Sequence, residues 1–268
     1  MENQQAIGVF DSGVGGTSIW QEIVTQLPFE NTIYLADSKY APYGTRSSDE
    51  IISLSIKNTE RLIDLGSKII VVACNTATTN AIDYLRTHYD IPFIGIEPAI
   101  KPAALQSITK SIGILATKGT LNSNLFHSTM DKYAQDVNVL EVIGEGLVPL
   151  IEANQLESEE LKTLLTSYVE LMLDAGIDHL VLGCSHYPFL IPQLKKILPT
   201  HVKIIDSGLA VAKQTETVLS LNGNLKIEGI GSHMLYSNKD VGVLESFVSR
   251  FRESELKNNT VNIRYLDF

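Results

Sequence analysis

The chain contains two cysteines, and both follow the same local pattern. Cys74 comes directly after the apolar run 69–73, and Cys184 comes directly after Leu-Val-Leu-Gly at 180–183. Each run predicts a buried strand, and the polar residues after each cysteine predict a turn into the next helix. Because open α/β sheets bind ligands at the carboxyl ends of their parallel strands, we expect both thiols to lie in a ligand site.

Two equivalent thiols on opposite sides of a cleft suit the inversion of a carbon centre. One group removes a proton from one face and the other returns a proton to the opposite face, and each must reach that proton directly. The ordinary thiol pKa of about 8.5 can be tuned towards neutrality by neighbouring groups. We expect Asp11 to act beside Cys74 and His186 to act beside Cys184.

The predicted elements form two similar series along the chain. Predicted strands cover residues 6–10, 32–36, 69–73 and 93–96, and then 111–116, 138–142, 179–183 and 202–205. Predicted helices cover residues 18–27, 48–65, 78–88, 161–175, 189–198, 209–221 and 241–252, with a last extended segment at 261–266. The repeated order predicts an α/β fold of two similar domains with mainly parallel sheets, related by pseudo-two-fold symmetry around an active-site cleft. We assign residues 1–97 and 208–268 to the first domain and residues 98–207 to the second.

Two loops after predicted strands carry residues that suit ligand binding. The glycine-rich loop 11–17 allows the backbone to approach a ligand closely, and its free N–H groups at a helix start form an anion site. Its spacing differs from the dinucleotide-binding fingerprint. The loop 37–44 combines a carboxylate, a proline, a tyrosine and a glycine, which favours a substrate loop.

The bulk composition excludes several classes of protein. A formal net charge of −10 over 268 residues argues against a nucleic-acid or anionic-membrane partner. No signal sequence or membrane-spanning run is present, so we expect a cytoplasmic protein. Two cysteines in a cytoplasmic protein predict free thiols rather than a disulfide. They lack Cys-x-x-Cys spacing, so we expect no metal site and no thioredoxin-like redox motif.

Four motifs together closely resemble the aspartate/glutamate racemase family. They are Asp-Ser-Gly-Val-Gly-Gly from Asp11, Ala-Asp-Ser-Lys-Tyr-Ala-Pro-Tyr-Gly from Ala36, Ala-Cys-Asn-Thr-Ala-Thr from Ala73 and Gly-Cys-Ser-His-Tyr-Pro from Gly183. The resemblance is clear over about residues 6–210. It implies cofactor-independent interconversion of L- and D-glutamate by two thiols, which supplies D-glutamate for peptidoglycan. We also expect a homodimer.

The resemblance also implies a role for each matching residue. Its catalytic positions fall on Cys74, Cys184, Asp11, His186 and Glu152. Its substrate-binding positions fall on Asp11, Ser12, Asp37, Pro42, Tyr43, Gly44, Asn75, Thr76, Thr117, Thr120, Ser185 and His186. The family usually has threonine where this chain has Ser185, so the hydroxyl is kept and a methyl group is lost. The aspartate-specific branch usually has histidine where this chain has Thr78, which favours glutamate.

Two other functions stay open. A thiol hydrolase or acyltransferase would use Cys184 as nucleophile and His186 as base, and would leave Cys74 idle. A two-lobed amino-acid-binding protein would need neither thiol. Substitution of Cys74 separates these alternatives from a two-thiol racemase, because only the racemase depends on it.

Overall fold

A computed structural model describes residues 5–251, 256 and 259–268, and these residues build two parallel sheets. The strands are β1 Ala6–Asp11, β2 Thr32–Ala36, β3 Ser67–Val72, β4 Phe93–Gly95, β5 Ser111–Ala116, β6 Asn138–Ile143, β7 His179–Gly183, β8 Lys203–Ile205, β9 Ser232–Ser237 and β10 Thr260–Tyr265. The first sheet has the order β10-β9-β2-β1-β3-β4 and the second the order β6-β5-β7-β8, with parallel pairing throughout. The predicted α/β fold with two parallel sheets is confirmed.

Helices connect consecutive strands and cover the sheets. They are α1 Thr17–Gln26, α2 Ser48–Asp64, α3 Asn75–His88, α4 Ile100–Gln106, α5 Lys118–Leu121, α6 Asn124–Tyr133, α7 Leu147–Glu152, α8 Glu159–Asp174, α9 Ile191–Ile197, α10 Gly208–Leu221 and α11 Val241–Val248. Short 3-10 turns occupy Tyr43–Thr45 and Tyr187–Leu190. No helix among the described ranges is long and apolar enough to cross a membrane.

The two sheets share one strand order. In the first sheet β2, β1, β3 and β4 lie side by side, and in the second β6, β5, β7 and β8 take the same places. The strand order reverses between β1 and β3, and again between β5 and β7. A crevice forms outside the carboxyl ends of strands at such a reversal. Both cysteines follow strands at these reversals, since Cys74 comes after β3 and Cys184 comes after β7.

Local sequence explains why the elements beside the site begin and end where they do. Every residue of β1 is buried, as expected for a strand covered by helices on both faces. Helix α2 starts with a capping box, because the Ser47 hydroxyl accepts a hydrogen bond from the Glu50 N–H and the Glu50 carboxylate accepts one from the Ser47 N–H. Gly66 ends this segment at a φ of +91°, in the left-handed region that glycine tolerates best.

The last segment of the chain adds an element that the sequence did not predict. Strand β9 pairs with β2, and β10 pairs with β9, so both extend the first sheet. The domain boundaries given above stay a prediction. The predicted helix 241–252 ends earlier, at Val248, and its final position, Arg252, lies outside the described residues. The prediction also missed the short helices α4, α5, α6 and α7.

Candidate active site

A small cavity of about 10 Å³ lies between the carboxyl ends of the two sheets. Residues from both halves of the chain line it. They are Ser12, Pro42, Tyr43, Gly44, Cys74, Asn75, Thr76, Thr117, Val148, Cys184, Ser185 and His186. The two cysteines therefore border one space, with the predicted loop at Pro42–Gly44 beside them. Val148 was not predicted, because an apolar residue in a short helix carries no chemical signature in the sequence.

Cys74 is the N-cap of helix α3, which begins three residues earlier than predicted. Its Sγ accepts a hydrogen bond from the N–H of Ala77 at 3.4 Å and lies 3.7 Å from the Ser12 hydroxyl. Burial raises the pKa of the Cys74 thiol strongly, and the nearby charge of Asp11 raises it further. The hydrogen bonds with Ala77 and Ser12 act in the opposite direction and are weaker. In this arrangement Cys74 is a thiol at neutral pH.

Cys184 begins a chain of contacts with an imidazole and a carboxylate. Its Sγ lies 3.7 Å from Nδ1 of His186, and Nε2 of His186 lies 2.6 Å from Oε1 of Glu152. Burial alone would lower the pKa of His186, but hydrogen bonds and charges of Cys184 and Glu152 outweigh it and hold that pKa well above its ordinary value. His186 is therefore an imidazolium at neutral pH. The Cys184 side of the cavity therefore carries an imidazolium paired with the carboxylate of Glu152.

The glycine-rich loop binds carboxylates of the protein itself. Oδ2 of Asp11 accepts hydrogen bonds from the N–H groups of Gly13 at 3.1 Å and Gly16 at 3.0 Å. Oε1 of Glu152 accepts one from the N–H of Val14 at 2.7 Å. A Cβ at Gly13 would lie 1.9 Å from Oε1 of Glu152, which explains the need for glycine there. The loop forms the expected anion site, but Asp11 and Glu152 occupy it.

Asp11 connects the two halves of the site. It is fully buried at the end of β1, and its Oδ1 accepts a hydrogen bond from the Ser185 hydroxyl at 3.0 Å. Burial raises the pKa of Asp11, while His186, Gly16 and Ser185 lower it and Glu152 raises it. The bonds to the loop and to Ser185 use both carboxylate oxygens. Asp11 acts on Cys74 through its charge and its hold on the loop that carries Ser12.

The cavity offers neutral polar groups to a ligand. Neither amide atom of Asn75 has a hydrogen-bond partner among the described residues, although the side chain is buried. A buried amide without hydrogen-bond partners is destabilising. A ligand that forms hydrogen bonds with Asn75 removes this cost, which favours binding. The hydroxyls of Thr76, Thr117 and Thr120 contact one another at 2.8 to 3.3 Å and join the two halves. Thr76 and Thr117 line the cavity, and Thr120 lies behind them.

Asp37 lies behind the cavity wall. It is fully buried, and its carboxylate accepts a hydrogen bond from the hydroxyl of Tyr43, which itself lines the cavity. Burial and then the charge of Asp37 hold the pKa of Tyr43 well above its ordinary value, so the phenol stays protonated. Glu152 also lies outside the lining set, and its partly exposed carboxylate contacts His186 and the N–H of Val14. Three predicted acidic residues, Asp11, Asp37 and Glu152, therefore hold lining residues in place without lining this cavity themselves.

The geometry agrees with comparisons to known proteins. The model of the Asp/Glu/hydantoin racemase family matches residues 7–215. A glutamate racemase from Herpetosiphon aurantiacus is 47% identical over 216 residues, which cover 81% of this chain and 85% of the relative. The structure of Escherichia coli glutamate racemase in complex with L-glutamate and the activator UDP-MurNAc-Ala matches with a TM-score of 0.82, 28% identity and 98% coverage of both chains. That of the Francisella tularensis enzyme in complex with D-glutamate matches with a TM-score of 0.81, 29% identity and 98% coverage of both chains.

The family match and the relatives identify the protein as a racemase, which is an isomerase. The chain belongs to the Asp/Glu/hydantoin racemase family, whose model covers most of its length. The resemblance drawn from the four sequence motifs is confirmed.

Proposed function

We propose that this protein is a glutamate racemase that interconverts L- and D-glutamate by two-thiol proton transfer without a cofactor. The observation that carries the proposal is the pair of thiols, Cys74 and Cys184, which come from equivalent strand ends and border one cavity. The substrate is supported by the relatives named glutamate racemase and by the two related structures in complex with L- and D-glutamate.

The environments of the thiols suggest their resting states. Burial and the charge of Asp11 keep Cys74 protonated, so Cys74 rests as the acid. The His186 imidazolium lies 3.7 Å from Sγ of Cys184, and a neighbouring cation favours negative charge on a sulfur. Cys184 therefore takes the α-proton from one face as Cys74 gives its proton to the other. The turnover leaves a Cys184 thiol and a Cys74 thiolate, which is the state needed for the reverse direction.

The carbanion formed at the α-carbon needs stabilisation by fixed dipoles. The unpaired amide of Asn75 and the hydroxyls of Thr76 and Thr117 are suitable donors for the substrate carboxylates. The N-terminus of α3 also points its first N–H groups at Cys74, and one of them donates to Sγ. This favours the Cys74 thiolate that forms after proton donation.

One observation favours a second candidate. The chain Cys184–His186–Glu152 has the order of a nucleophile, a base and an orienting acid, as in thiol hydrolases. A hydrolase of this type would not use Cys74. Substitution of Cys74 therefore separates the two functions.

We also propose the cellular setting implied by the resemblance: a cytoplasmic homodimer that supplies D-glutamate for peptidoglycan. Size-exclusion chromatography coupled to light scattering tests the dimer, and fractionation of cells tests the location. Rescue of a D-glutamate-requiring strain tests the role in the cell wall.

The activity itself is tested by circular dichroism of L-glutamate and D-glutamate incubated separately with the purified protein. Decay of the signal to zero from both sides supports glutamate racemisation. Decay with L- and D-aspartate instead would keep the reaction and change the substrate. A constant signal with every amino acid would contradict the racemase.

A further inference from the structure

A buried polar cluster lies directly behind the cavity wall, and the proposed proton transfer gives it no role. Its centre is the carboxylate of Asp37, which has no exposed surface. This carboxylate accepts hydrogen bonds from the hydroxyl of Tyr43, from Nζ of Lys57 at 3.0 Å, from Nδ2 of Asn58 at 3.2 Å and from Nδ2 of Asn238. Every one of these partners points a donor at the same carboxylate.

The cluster fixes a residue that lines the cavity. Asn58 also donates to the Tyr43 hydroxyl at 3.0 Å, so that hydroxyl both donates and accepts. Tyr43 belongs to residues 37–44, here called the Tyr43 loop, which brings Pro42, Tyr43 and Gly44 to the cavity. The orientation of the Tyr43 ring therefore depends on the position of the Asp37 carboxylate.

Lys57 and Asn238 hold the loop from two different elements. Lys57 lies on α2, contacts both oxygens of Asp37 and lies 4.1 Å from the centre of the Tyr40 ring. Asn238 follows β9, and its Oδ1 accepts a hydrogen bond from the N–H of Lys39 at 2.9 Å. Each residue therefore contacts the Asp37 carboxylate and a second group of the Tyr43 loop. For Lys57 this group is the Tyr40 ring, and for Asn238 it is the N–H of Lys39. A buried carboxylate also needs a cation or several donors to offset its desolvation, and these two residues supply both.

We propose that Lys57 and Asn238 are positioning residues for the Tyr43 loop. They act through Asp37 and Tyr43 and do not touch the substrate. This assigns Asp37 to the support of Tyr43, although the family resemblance predicted substrate contact. The inference deepens the proposed function and rests on it for the kinetic test. A loop that contacts the substrate equally in the ground state and the transition state changes KM more than kcat.

The kinetic test uses Lys57→Met, which keeps the length of the side chain and removes its charge. We expect KM for both enantiomers to rise by about tenfold or more, with kcat changed by less than about threefold, because a small misplacement of a binding group is costly. Lys57→Arg keeps a cation against Asp37 and should restore much of the loss. A fall in kcat with KM unchanged would overturn the proposal.

Lys68 provides a matched control. It forms a buried ion pair with Glu30 at 2.7 Å, but it lies at the start of β3, at the opposite end of the strand from Cys74. Lys68→Met should lower the melting temperature and leave KM unchanged. An equal rise of KM in both variants would show general loosening and would overturn a specific role for Lys57.

Amide hydrogen exchange tests the positioning without any turnover. The N–H of Tyr40 donates to the carbonyl of Asp37 at 3.0 Å, and that of Arg46 donates to the carbonyl of Tyr43 at 3.0 Å. We expect faster exchange at both amides in Lys57→Met and in Asn238→Ala, but not in Lys68→Met. This result holds even if the wild type does not racemise glutamate, so the two proposals fail separately. Unchanged exchange in both loop variants would overturn the positioning role.

Discussion

The Cys74 side and the Cys184 side of the cavity present the same thiol in different surroundings. Cys74 caps a long helix and lies near a hydroxyl and the negative charge of Asp11. Cys184 precedes a 3-10 turn and lies beside an imidazolium held by Glu152. The shared strand order places both thiols at equivalent points. The segments that follow the strands differ, and they set the charge around each thiol.

This difference suits a reaction that needs one acid and one base at the same moment. Different environments make it easier for one thiol to hold a proton while the other is free to accept one. The pair Asp11 and Glu152 couples the sides, because Asp11 accepts from Ser185 of the second half and Glu152 accepts from Val14 of the first. The position of the charged groups on the Cys74 side and on the Cys184 side therefore depends on hydrogen bonds to the opposite half of the chain.

The largest expected effect comes from removing either thiol. Cys74→Ala and Cys184→Ala should each lower racemisation in both directions by about 10⁴-fold, the upper range for loss of a general acid or base. Circular dichroism with each enantiomer measures this. Near-normal turnover in Cys74→Ala would contradict a shared role of the two thiols and would favour the thiol hydrolase.

A smaller effect should follow from Glu152→Gln, which removes the charge that holds the His186 proton. The pKa of His186 is raised above its unfolded value of about 6.5, so its protonation stabilises the protein below that pH and is lost as pH rises through the raised value. In the variant, His186 should lose its proton at a lower pH than in wild type. Its turnover should be about 10²-fold slower. An NMR titration of His186 checks the shift.

Glu159→Gln, at an exposed glutamate that pairs with Lys162, serves as the control. Equal titration of His186 in wild type and Glu152→Gln would show that Glu152 does not set this charge.

Ser185→Ala should have a moderate effect, because it removes a hydrogen bond to Asp11. That bond lowers the pKa of Asp11 against the effect of burial, so the variant should raise this pKa further. A hydrogen bond to a charged group contributes about 1.5–3 kcal/mol to stability, so the variant should unfold more easily. Turnover should fall by about tenfold, because Asp11 sets the charge near Cys74. The pH profile of kcat measures it. Ser185→Thr keeps the hydroxyl and should retain activity; an equal loss in both variants would point to packing instead.

The smallest effect on turnover is expected at His233, a buried histidine away from both thiols. Burial lowers the pKa of His233 to about 4. The unfolded chain therefore binds more protons, and stability is complete above pH 6.5 and falls as pH decreases towards 4. Between pH 7 and pH 5 this group should reduce the free energy of unfolding by about 2 kcal/mol.

Urea unfolding of wild type and His233→Gln at both pH values measures this contribution. The variant should lose less stability on acidification, and the pH profile of its turnover should match that of wild type. The same acid dependence in both proteins would show that His233 is not the titrating group. A changed activity profile would mean that His233 contributes to turnover.

The elements that carry the thiols were predictable, because their signals are local. The apolar runs before Cys74 and Cys184 and the periodic pattern of α2 each identify one element without reference to the rest of the chain. Strand β9 was missed because polar His233 and Ser237 occupy buried positions, while Met234 and Tyr236 are half-buried, so the sequence lacks the apolar alternation of a strand.

The contacts behind the cavity could not be predicted from the sequence, because they join distant positions. Nothing near Glu152 indicates that its carboxylate bonds to both Val14 and His186. The glycines of the first loop predicted an anion site correctly, but the anions are Asp11 and Glu152. The resemblance identified Asp37 as part of the site, and only the three-dimensional contacts place its carboxylate behind Tyr43.

The most direct test of the two-thiol account is a single turnover in heavy water. L-glutamate and D-glutamate are each mixed with excess protein, the reaction is stopped early, and deuterium at the α-carbon is measured by mass spectrometry in substrate and product separately. The account predicts solvent deuterium in the product of the first turnover and none in the recovered substrate, from either enantiomer, because one thiol removes the proton and the other supplies a solvent-derived one. Protium retained in the product, or deuterium appearing equally in recovered substrate, would show a single base acting on both faces and would contradict the account.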